Sequence, residues 1–138
     1  MSKIIEDLWI MNNNSGIVVF SRVFDEKLDS QLFGGFINAI NSFSEELNKE
    51  GLSSFELSKK QFIILKEGDF LFIASSNPKI KEKKVLSELK VIASKFFEKY
   101  SHVLKDWDND ISVFSDFEKV IEDSLEKVIS KFKQAFWE

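Results

Sequence analysis

The chain has 138 residues, 43% of them hydrophobic and 30% charged, with a formal net charge of −4. This is the size of one domain, with enough apolar mass for a core and an acidic balance that speaks against general nucleic-acid binding. There is no Cys and a single His, His102, which excludes a disulfide framework, thiolate zinc sites and cysteine nucleophiles, and leaves any Ser–His or multi-histidine site to be built around one imidazole.

Acids stand in Ile4-Ile5-Glu6-Asp7 where a signal peptide needs its apolar stretch. No apolar run approaches the ~20 residues of a spanning helix, and Lys133 to Glu138 matches no lipidation signal. The expectation is a cytoplasmic chain forming a single domain over residues 1–138.

Leu8–Met11 and Ile17–Phe20 are apolar throughout, and Asn12-Asn13-Asn14-Ser15-Gly16 between them supplies turn residues. This is a hairpin, and strands apolar on both faces belong to a sheet covered on both sides. Residues 28–48 are predicted helical, with Leu28, Leu32, Phe36, Ile40, Phe43 and Leu47 in one stripe that Phe33 and Ile37 widen. Gly34-Gly35 inside it costs roughly 1 kcal/mol per glycine relative to Ala, which close approach to a sheet or partner offsets.

Three strands follow. Leu52–Ser58 alternates Phe55 and Leu57 with Ser54, Glu56 and Ser58, the pattern of a half-exposed edge strand. Gln61–Lys66 and Phe70–Ala74 are apolar on both faces, hence central, with Glu67-Gly68-Asp69 as the turn. Asn77-Pro78 is predicted to open a second helix, with Asn as N-cap and Pro at its first position. Val85, Leu86, Leu89, Ile92, Ala93, Phe96, Phe97 and Tyr100 form its stripe. After a linker over 101–114, a third helix is predicted from Ser115, with Glu118 completing a capping box and Phe117, Val120, Ile121, Leu125, Val128, Ile129 and Phe132 on its apolar side. The order β-β-α-β-β-β-α-α is an α+β fold: a five-stranded antiparallel sheet sandwiched between one helix and two.

This order resembles the longin domain family, within the profilin-like and roadblock-like group, over roughly residues 3–132. The likeness rests on the hairpin Leu8-Trp9-Ile10-Met11…Gly16-Ile17-Val18-Val19-Phe20, on Leu32-Phe33-Gly34-Gly35-Phe36, and on Trp107-Asp108…Val113-Phe114. It extends to the stand-alone longin-like proteins of archaea, which also carry many small GTPases. Roadblock domains share the sheet but begin with a helix. The resemblance implies no catalytic motif. It implies an adaptor or scaffold of the vesicle-trafficking type that dimerises, joins a roadblock-like subunit or holds a small GTPase.

Several features invite a chemical reading. Asp106, Asp108 and Asp110 have the spacing of the first half of a calcium loop, but Ile111 and Phe117 stand where its Gly and bidentate Glu are needed. The acids therefore read as turning the chain while Trp107 buries. His102 sits near the end of the second helix, where a cation suits the dipole. No G-x-S-x-G, G-x-G-x-x-G or G-x-x-x-x-G-K-[ST] occurs, so no enzyme, cofactor site or metal site is expected, and the chain is not itself a GTPase.

Seven lysines, Lys79, Lys81, Lys83, Lys84, Lys90, Lys95 and Lys99, against Glu82, Glu88 and Glu98 make the second helix net +4. The cations interleave with acids, which is the pattern of a solvated face; the alternative is a peripheral membrane or lipid-head-group module. Phe136-Trp137 forms either a contact patch or a continuation of the Phe132 face. The strongest partner-binding candidate is the edge strand, Ser54, Phe55, Glu56 and Leu57, because strand edges can add a strand from a partner. The first helix is expected beside it, presenting Asn38, Asn41, Ser42 and Glu45. In longin- and roadblock-like proteins this strand–helix surface is the usual dimer or partner surface, and a homodimer is one outcome it implies. The opposing reading is a plain edge guarded by Lys59-Lys60.

Overall fold

The computed structural model describes residues 4–23, 30–47, 53–57 and 59–122. Its elements run β1 (Asp7–Asn12), β2 (Val18–Arg22), α1 (Ser30–Leu47), β3 (Ser54–Leu57), β4 (Lys60–Glu67), β5 (Phe70–Ser76), α2 (Glu82–Leu104), a 3₁₀ turn (Ile111–Phe114) and α3 (Phe117–Ile121). The strands form one antiparallel sheet in the order β2-β1-β5-β4-β3.

Each turn has a local cause. Asn12 Oδ1 accepts from the Asn14 and Ser15 amides, both at 2.9 Å, and Gly16 takes φ 77° to close the loop back onto β2. Gly68, at φ 57°, does the same between β4 and β5. The two turns are joined where the Asn13 amide donates to the Asp69 carbonyl at 2.7 Å.

The sheet is covered on both faces, as its two-faced strands require. On one side Trp9, Met11, Val18, Ile64, Leu71 and Ile73 meet Phe33 and Ile37 of α1. On the other, Leu8, Ile10, Phe20, Ile63 and Phe72 meet Leu89, Ile92 and Phe96 of α2 with Phe114, Phe117 and Ile121. Phe96 centres an aromatic cluster, its ring within 5.3–5.6 Å of those of Phe70, Phe72, Phe97, Tyr100, Phe114 and Phe117.

Three boundaries depart from expectation. α2 starts at Glu82, not at Asn77-Pro78. Asn77 Oδ1 instead accepts from the Lys79 amide at 2.9 Å and its carbonyl from the Ile80 amide at 3.0 Å, a local turn that competes with helix initiation. The expected linker runs helical to Leu104 and then holds the 3₁₀ turn, which Asp110 caps by accepting from the Ser112 amide at 3.0 Å. α3 starts at Phe117, and no capping box forms: Glu118 pairs with Arg22 at 2.8 Å. Its predicted residues Leu125, Val128, Ile129 and Phe132 lie outside the described residues.

Candidate protein-interaction face

α1 is fixed to the sheet through one flank. A Cβ on Gly34 would stand 2.5 Å from Val18 Cγ2 and 3.2 Å from the Gly16 carbonyl, so only glycine permits this approach. The Gln31 side chain accepts from the Val18 amide at 3.1 Å and donates to the Val18 carbonyl at 3.0 Å, occupying the β2 edge as a neighbouring strand would. Asn41 is buried and donates to Asn13 at 3.4 Å and Glu45 at 2.8 Å, and Glu45 pairs with Lys66 at 3.3 Å. Asn38 packs at Gly16.

Asn38, Asn41 and Glu45 therefore do not flank β3 as expected. They are committed to the β1–β2 turn and to β4. Periodicity alone sets the apolar stripe inward and the polar residues outward, and the helix is rolled from that setting. Phe33 and Ile37 carry the core, while Leu32 is 75% exposed, Phe36 47%, Phe43 61% and Leu47 77%. Helical residues advance about 100° each, which sets Phe36 about 160° round the helix from Asn38 and away from β2. The sequence signal for this was present: Phe33, Ile37 and the longer stripe together are too wide for one buried face.

β3 is an edge strand, as predicted, and among the described residues no strand lies beyond it. Phe55 is half-buried, stacked on Phe62 at 4.8 Å with the rings 2° from parallel, and Phe62 reaches Phe33 of α1 at 5.8 Å. Ser54 is half-buried and Glu56 exposed. Leu57 pairs with Lys60 along the backbone. Lys60 itself turns inward to Asp7, Nζ to Oδ2 2.7 Å, and Ser75 Oγ donates to the same oxygen at 2.6 Å. Burial works against the Lys60 charge, but the Asp7 hydrogen bond and the fields of Asp7 and Glu6 outweigh it and raise its pKa. Phe136 and Trp137 lie outside the described residues.

The other candidates resolve into structure. Asp108 accepts from the Asp110 amide at 3.1 Å, Asn109 takes φ 71°, and Trp107 is half-buried against Phe114, so this acidic stretch builds the turn before the 3₁₀ segment. Among the described residues no group of three or more His, Asp or Glu could hold a metal ion, and none of the helices is long and apolar enough to cross a membrane. An open cleft of about 460 Å³ on α2 gathers Glu67, Lys90, Ser94 and Phe97.

A five-stranded antiparallel sheet with α1 on one face and α2, the 3₁₀ turn and α3 on the other, entered by a strand, is a longin-type α+β fold. The chain belongs to the family described as the first longin domain of FUZ, MON1 and HPS1, which matches residues 7–101. Its fold is similar to that of Myxococcus xanthus MglB, with a TM-score of 0.50 at 12% identity over 69% of this chain and 78% of that one. Comparison with curated proteins by sequence gives no match.

Proposed function

We propose that the chain is a cytoplasmic, non-enzymatic adaptor that works by binding protein, and that its contact surface is the outer face of α1 together with the edge of β3. The observation that carries this is the row Phe36, Phe43 and Leu47, 47–77% exposed on one helix face. Contiguous apolar surface of this kind marks a contact. The longin resemblance supports three partner classes: a second copy, a roadblock-like subunit, or a small GTPase.

The test is a binding titration against each class, with GTPases loaded with GDP or a non-hydrolysable GTP analogue. The double variant Phe36→Asp/Phe43→Asp is expected to abolish binding. Val91→Asp, at a residue 45% exposed on α2, is expected to leave it intact. The reverse pattern sinks the reading.

A second reading is anionic-lipid binding by the start of α2 and the turn before it, favoured by the exposure of Lys83 and Lys84 in the helix and of Lys79 and Lys81 ahead of it. Against it, Lys99 is held by Asp116 at 3.3 Å. Salt-sensitive co-sedimentation with anionic liposomes decides for lipid; no binding at any salt removes it.

A further inference from the structure

The two edge strands of the sheet are built differently. On β3 the Ser53 carbonyl accepts from the Ile64 amide at 2.9 Å, and backbone alternation then turns the N–H and C=O of Ser54 and Glu56 away from β4. Glu56 within this strand and Lys59 after it are both exposed, and charges of this kind blunt an edge. β2 has none before Arg22. Every residue from Leu8 to Ser21 is uncharged, and Val18, Val19 and Phe20 are strong strand formers. An uncharged β-branched and aromatic run on an edge is a template for strand addition.

One side chain stands in the way. Gln31 Oε1 accepts from the Val18 amide at 3.1 Å, and Gln31 Nε2 donates to the carbonyl of the same residue at 3.0 Å. A tether needs one bond. Two bonds to one residue, one in each direction, copy the rung that a neighbouring strand would make. Gln31 is exposed, so burial does not hold it there. Gly34, three residues on, lets the helix lie against the same Val18. The register shift at Ile10/Met11, which leaves Val19 as an extra residue, bends the same stretch of edge.

We propose that Gln31 is an edge guard. By filling the outward N–H and C=O of Val18 it keeps β2 from accepting the β3 edge of a second copy. β2 and β3 are different surfaces, so their pairing is head-to-tail and does not close, and each added copy presents a fresh β2. The guard limits strand addition to β3, whichever partner takes the α1 face.

Gln31→Met keeps side-chain length and helix propensity but makes neither bond. Sedimentation velocity should show this variant as an open-ended series whose mean mass climbs several-fold with concentration, while the natural chain stays a discrete species. In dilute solution, hydrogen exchange should find the Val18 amide protected in the natural chain and unprotected in Gln31→Met, with the far-UV spectrum unchanged. The natural chain has an open β3 and a closed β2, so a minor fraction of it should shorten the Gln31→Met assemblies by joining their ends and stopping growth. Gln31→Lys loses the paired rung but puts a charge at the edge, and should remain unassembled.

Fast exchange of Val18 in the natural chain overturns the guard without any variant. So does a Gln31→Met chain that assembles no more than the natural one. Assemblies that Gln31→Lys forms equally, or that the natural chain leaves unshortened, come from a loosened fold and overturn it as well. A single closed dimer of Gln31→Met overturns head-to-tail growth.

Discussion

Gly34 and Gly35 are adjacent but stand in opposite surroundings. Gly34 faces β2, where an added methyl would press on Val18 and the Gly16 carbonyl. Gly34→Ala is expected to cost about 1–3 kcal/mol, the usual range for overpacking, seen as a lower urea midpoint. Gly35→Ala meets nothing and should gain up to about 1 kcal/mol from helix propensity. Lys60 makes a pH prediction. Its pKa is raised in the fold above the ordinary 10.5, so its contribution is fully present below that value and is lost as pH rises through the folded one. Thermal melts from pH 8 to 12 should show a drop in stability at the alkaline end that Lys60→Met removes. At pH 7 the same substitution should cost about 1–3 kcal/mol, because buried Asp7 keeps only part of its hydrogen bonding.

At the scale of elements, α2 is held by one ring more than by any other. Phe96→Ala empties the space among six aromatic neighbours and should cost about 3–5 kcal/mol. That is a large part of a domain's stability, so urea unfolding should show a much earlier transition. The strands were legible because runs such as Phe62–Leu65 and Phe70–Ile73 declare burial on both faces through composition alone. The edge position of β3 was legible because Ser54 and Glu56 interrupt its apolar residues. The start of α2 was not. Asn77-Pro78 carries the same residues whether it caps a helix or closes a turn, and the choice is made by the amide of Lys79 folding onto Asn77. The capping box failed for a non-local reason: Arg22, 96 residues from Glu118 along the chain, takes the carboxylate. The roll of α1 was hidden in the same way. Periodicity shows that Leu32, Phe36, Phe43 and Leu47 share a face, but Gly34 against Val18 decides that this face turns outward.

At the scale of the molecule, the two sheet edges are managed differently. The β2 edge is occupied by Gln31, while β3 is bounded only by β4 among the described residues. Were the proposed partner of the α1 face a second copy, stability would be tied to mass action. The melting temperature would then rise with protein concentration for the natural chain and stay flat for Phe36→Asp/Phe43→Asp, measured by scanning calorimetry across a hundredfold range. The strand order β2-β1-β5-β4-β3 has one more consequence. The middle of the sheet pairs its first strand with its last, Asp7 lying beside Ser75 across 68 residues of chain. During synthesis the N-terminal hairpin leaves the ribosome with one long edge of Leu8, Trp9, Ile10 and Met11 unmatched. It stays so until β5 emerges, since contacts so distant in sequence cannot form sooner. The interval in which nascent chains are most exposed to aggregation or chaperone capture is thus set by translation of the segment from α1 through β5, and slowing the ribosome there lengthens it.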